Sequence, residues 1–78
     1  MSKYANYSVT YVGDYFSMTH FVEIDLSDPN FATLSDEELE EASIEIGKKN
    51  IKYHYGWDLD AKGVVWEVTT EVDYSPAR

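Results

Sequence analysis

Leu34-Ser35-Asp36-Glu37-Glu38-Leu39 carries the clearest structural signal in the chain. Ser35 followed three residues later by Glu38 makes a capping box, in which each side chain accepts a hydrogen bond from the other residue's backbone N–H. Leu34 and Leu39 hold the two positions of a hydrophobic staple, which fixes how the chain enters a helix. A helix therefore begins at Asp36. At about 100° per residue, Leu39, Ala42, Ser43, Ile46, Asn50, Tyr53 and Trp57 share one broad stripe. The stripe continues past Gly47, so the helix is expected to reach about Tyr55, with Gly56 ending it. A rival reading stops at Ile46 and makes residues 51–55 a strand, but Lys48-Lys49-Asn50 offers no turn chemistry. Ile44 falls about 140° from Leu39, among Glu37, Glu41 and Lys48, and is expected to be exposed.

Outward from the helix the period changes to two. Tyr7, Val9 and Tyr11 alternate with Ser8 and Thr10. Phe16, Met18, His20, Val22, Ile24 and Leu26 alternate with Ser17, Thr19, Glu23 and Asp25. Near the C-terminus Val64, Trp66, Val68, Val72 and Tyr74 alternate with Glu67, Thr69, Glu71 and Asp73. Each run reads as a strand with one wet face. Val12-Gly13-Asp14-Tyr15 reads as a hairpin turn with Gly13 supplying a positive φ. Ser27-Asp28-Pro29-Asn30 reads as a chain reversal.

The pattern predicts an α+β fold in the order β-β-α-β. One long helix packs on one face of a three-stranded, mainly antiparallel sheet, covering Tyr7, Val9, Phe16, Met18, Val22, Ile24, Trp66 and Val68. Placing the first strand in the centre leaves every pairing antiparallel. One helix can cover only one face, so the other meets solvent or a partner.

Seventy-eight residues fit a single domain, 1–78. Two Trp, seven Tyr and three Phe give this short chain much of its buried area. The absence of cysteine excludes disulfides and thiolate metal sites and suits a reducing, cytoplasmic setting. Neither a membrane-length apolar run nor a secretory h-region is present, so no membrane partner is expected. Fifteen acids against six bases give a formal charge of −9. That field repels nucleic acid and attracts basic proteins.

Chemistry-bearing motifs are weak. Asp58-Leu59-Asp60-Ala61-Lys62-Gly63 imitates the start of a calcium loop, yet Lys62 and Thr69 stand where ligands are required. His20 lies on an apolar strand face, where a neutral core histidine is the ordinary outcome, and His54 shares no metal spacing with it. Neither a nucleophile elbow nor a phosphate-cradling glycine loop occurs. The carboxylates lie on solvated faces, where nothing would separate their pKa values. The expectation is a non-enzymatic binding domain without metal or cofactor.

Two surfaces stand out for binding. On the uncovered sheet face Tyr15 and Phe21 are expected beside Glu23, Asp25, Glu67, Glu71 and Asp73. Acids two apart on a strand sit about 6.6 Å from each other, close to the spacing of neighbouring phosphates. Ile44 on the helix ridge is the second surface. Small acidic bacteriophage proteins occupy the DNA-binding grooves of host defence enzymes, and this chain is similar to them in size and charge alone. The leading expectation is an inhibitor or regulator of a basic, nucleic-acid-binding partner. The alternative is a structural or assembly subunit that self-associates, as a homodimer for example, through its open sheet face or edge strand. Direct nucleic-acid binding is disfavoured, because such sites need basic grooves.

Overall fold

The computed structural model describes residues 3–76. In chain order it has β1 (Lys3–Gly13), β2 (Ser17–Asp25), α1 (Asp36–Tyr55) and β3 (Trp66–Pro76). The strands form one sheet in the order β2-β1-β3, and both pairings are antiparallel. The expected β-β-α-β layout, with the first strand central and the helix running its full length, is thus the fold.

The capping box forms as its spacing demands. The Ser35 N–H donates to Glu38 Oε1 at 3.0 Å, and the Glu38 N–H donates to Ser35 Oγ at 3.3 Å. Those bonds hold the Glu38 carboxyl below its usual range, the Ser35 backbone bond first. At the other end Gly56 adopts φ 73° and its N–H returns to the Lys52 carbonyl at 2.9 Å. Acids fill the first turn and bases the last, as the helix dipole favours.

The core lies between α1 and one sheet face. Ala5, Tyr7, Val9 and Tyr11 of β1 join Val22 and Ile24 of β2, with Leu39, Ile51 and Leu59 above them. Alternation puts every second residue of β1 and β2 into this layer, and a one-residue slip would expel the set. Truncating one of these aliphatics to Ala would cost about 2–5 kcal/mol.

The helix is rotated from the expected stripe. Its innermost residues are Leu39, Ser43, Gly47 and Ile51, four apart, while Tyr53 is 84% exposed. The cause is Tyr11. Its hydroxyl donates to the Ile44 carbonyl at 2.7 Å, and a Cβ on Gly47 would collide with that hydroxyl. Small side chains at 43 and 47 let the helix descend onto the ring, and Ser43 meets its own need by donating to the Glu40 carbonyl at 2.6 Å. Turning that side inward carries Ile44 into the layer around the core. Ile44 is therefore half-buried, not the exposed ridge residue its position on the wheel implied.

Three further expectations change. Gly13 has no positive φ; glycine is needed there because a Cβ would strike the Phe16 ring. The third strand starts at Trp66, two residues after Val64. Trp66 and Val68 are half-buried, because α1 packs over β2 and β1 and leaves β3 to the 56–65 connection. Trp66 Nε1 donates to the Leu59 carbonyl at 2.6 Å, and its ring meets Tyr11 edge-on with centroids 5.5 Å apart. Farther along β3, Val72 and Tyr74 remain 44% and 49% exposed on the helix side.

Two measurements check the Tyr11 contact. In an unconstrained helix Gly→Ala gains about 1 kcal/mol. Here Gly47→Ala should instead cost about 1–3 kcal/mol by overpacking, and a Tyr11→Phe background should remove most of that cost in urea titrations. Burial, with Glu45 adding, pushes the Tyr11 hydroxyl from 10.0 up to about 12. The folded state thus keeps a proton that the unfolded chain releases near pH 10. Stability present below pH 10 should fall as pH rises toward about 12, and Tyr11→Phe should flatten that fall.

Candidate functional site

The uncovered sheet face is set by strand parity. β1 presents Tyr4, Asn6, Ser8, Thr10 and Val12 there, and the two registers align the outer strands on them. Across the sheet the rows read Glu23–Asn6–Asp73, Phe21–Ser8–Glu71, Thr19–Thr10–Thr69 and Ser17–Val12–Glu67. The structure therefore brings Glu23, Glu67, Glu71 and Asp73 onto one surface, as two acidic margins flanking a neutral, hydroxyl-rich strip. With strands about 4.8 Å apart, the margins lie roughly 9.6 Å from each other. Thr10 Oγ1 and Thr19 Oγ1 are hydrogen-bonded at 3.0 Å in the middle of that strip.

Acids lie on both sides of the molecule, but the described bases do not. Among the described side chains the open face carries no lysine, arginine or histidine. The ion pairs lie elsewhere: Lys48 with Glu45 at 2.9 Å and Asp60 at 3.0 Å, and Lys52 with Asp58 at 3.4 Å. Lys48 also stands 5.4 Å above the Trp66 ring. Asp25, at the end of β2, differs from the other open-face acids. Its Oδ1 accepts from the Ser27 hydroxyl at 2.6 Å and the Ser27 N–H at 2.9 Å, which hold its carboxyl below the usual range. It closes a turn as well as facing outward.

Tyr15 and Phe21 do not meet. Tyr15 is fully exposed at the β1–β2 hairpin tip, and Phe21, 76% exposed, sits four residues beyond Ser17 on β2, about 13 Å along the strand. The tip instead belongs to an apolar end that the sequence reading did not assemble. Tyr15, Phe16, Val64 and Val65 line a hollow of about 210 Å³ with Asp14 and Gly63. Phe16 meets Trp57 edge-on at 5.9 Å, and Tyr55 lies 6.4 Å from Trp57. Only the return of the chain after Gly56 brings these residues to the tip, and that path has no periodic signal.

The remaining chemistry-bearing groups are engaged locally. Asp58 Oδ1 accepts from the Asp60 N–H at 3.1 Å, and both carboxylates face lysines. His20 is half-buried with Nε2 3.3 Å from Asn50 Nδ2, and His54 packs on the Tyr53 ring at 5.1 Å. Among the described residues no three His, Asp or Glu side chains gather as metal ligands, and no helix is long and apolar enough to cross a membrane.

No protein-family model, curated protein or solved structure matches the chain. What it binds must be argued from its surface.

Proposed function

We propose that the chain is a binding domain that presents its open sheet face to a basic protein, in the manner of a nucleic-acid mimic. The observation that carries this reading is a sheet face with no basic side chain among the described residues. Glu23, Asp25, Glu67, Glu71 and Asp73 share it, while the described lysine pairs sit on the helix side and the 56–65 connection. A field that only maintained solubility would not need the described bases confined to the other side. Asp36, Glu37 and Glu38 occupy the first turn of the helix and Glu45 pairs with Lys48; among the described residues the acids of the strand margins make no ion pair. Rows about 6.6 Å apart along each strand, flanking a strip of hydroxyls and an amide, offer a basic groove both charge and hydrogen-bond acceptors. Val12 and Val65 line a hollow with Glu67 at the tip, Tyr15 lines the adjoining one with Val65, and together they can supply an apolar anchor beside the charge.

Matched charge reversals test the reading. Glu23→Lys with Glu67→Lys and Glu37→Lys with Glu41→Lys each move the net charge from −9 to −5. Immobilised variants are compared for proteins retained from cell lysate at low and high salt, with duplex DNA as competitor. The sheet-face pair should lose roughly tenfold or more in affinity and the helix pair far less. Retention by the wild type should weaken with salt and be displaced by DNA. Equal losses would reduce the effect to net charge. A larger loss from the helix pair would move the contact surface to α1.

A further inference from the structure

The two open edges of the sheet are not alike. β3 carries Glu67, Glu71 and Asp73, charges of the kind that guard an edge against pairing. β2 bears no charge over its first six residues, Ser17 to Val22, and has an exposed phenylalanine at its middle. We infer that β2 is a self-association edge, joining two copies of the chain through a two-fold axis at Phe21 into one six-stranded antiparallel sheet. This inference is independent of the basic-partner reading.

Register is the first argument. β2 spans Ser17–Asp25, so pairing its whole length antiparallel with a second copy puts Phe21 opposite Phe21. On the open face Glu23 then meets Thr19 of the other copy, and Asp25 meets Ser17. Every carboxylate faces a hydroxyl. Moving the axis to Glu23 would set two glutamates face to face, which is destabilising. The same full-length pairing of β3 would centre on Glu71 and stack it on itself.

The opposite face of the sheet favours the same edge. Asn50 reaches His20 on β2, whereas Glu40 accepts from Thr70 on β3 at 2.7 Å, and Lys48 lies over Trp66. On the helix wheel Ala42, Ile46 and Tyr53 lie beyond Asn50, on the flank that leans past β2. With α1 seated over β1 and β2, the helices of two such copies would lie roughly 9.6 Å apart. Packed helices stand about 8–10 Å apart. Antiparallel across the axis, Tyr53 faces the small Ala42 of the other copy. Thus Phe21 and Tyr53, exposed by 76% and 84%, lie along the same edge on opposite faces of the sheet. One contact buries both.

Sedimentation equilibrium and thiol cross-linking test this directly. Wild type should approach twice the 9.0 kDa protomer mass in the micromolar to millimolar range. The dimer should tighten with salt, since both copies carry −9. Phe21→Glu and Tyr53→Glu should each return the mass to 9.0 kDa with circular dichroism unchanged. Directly opposed strand residues have Cα atoms about 4.5–5.5 Å apart, within disulfide reach. The chain has no cysteine of its own, so Phe21→Cys should oxidise to a covalent dimer and Glu71→Cys, the matching position on β3, should not. A monomer at every concentration and salt would overturn the inference. So would a dimer that survives both Glu substitutions, or cross-linking at Glu71→Cys equal to or above that at Phe21→Cys.

Discussion

The hydroxyl of Tyr11 sets where the helix sits, and most of the surface follows from that. It rises from the central strand, donates to the Ile44 carbonyl, and occupies the space that a side chain at Gly47 would need. A buried phenol without a partner would cost about 1–3 kcal/mol, so the bond and the close approach depend on each other. Once the helix is held there it covers β1 and β2 and stands away from β3. The half-covered end of β3 is a consequence of that placement, whereas the uncovered face follows from there being one helix and the open β2 edge from the strand order. Burial of Tyr11 and Tyr7 also makes the core sensitive to high pH, because both hydroxyls are held above their ordinary range.

Local signals in the sequence were legible where one residue type has one physical job. Ser35 and Glu38 start the helix, Gly56 ends it, and the alternation in β1 and β2 sorts inside from outside. The rotation of the helix was not legible, because Gly47 reads along the chain as a poor helix former. Its role is defined by a tyrosine on another element. Ile44, Tyr53 and Trp66 shifted from their expected burial for that reason. Leu59 carries no sequence signal because it lies in an aperiodic connection; it is buried, and its carbonyl accepts from Trp66 Nε1. On the candidate site, parity alone was enough to gather Glu23, Glu67, Glu71 and Asp73. It could not show that Tyr15 stands at the hairpin tip apart from Phe21, since a turn breaks the period that parity relies on.

The charge pattern has a coherent physical form. Lys52 and His54 sit in the last turn of the helix, and Lys48 and Lys52 hold the aspartates of the 56–65 connection. Among the described residues no base lies on the sheet face, which leaves its acids without a basic neighbour. The acids lie at the margins, and the middle strand contributes hydroxyls, an amide and Val12. On the proposed reading, such a surface would steer a basic partner at a distance and offer hydrogen bonds on contact. Pairing through β2 would continue the face across two copies and keep each acid opposite a hydroxyl.

Carboxyl footprinting by carbodiimide coupling and mass spectrometry tests the central claim most directly: the sheet face, not the helix, is the contact surface. Labelling is compared between the free protein and the complex it forms with proteins retained from lysate. Glu23, Glu67, Glu71 and Asp73 should label readily in the free protein and become protected together in the complex, with Glu37 and Glu41 unchanged. Protection of Glu37 and Glu41 while the four sheet acids still label would contradict the account.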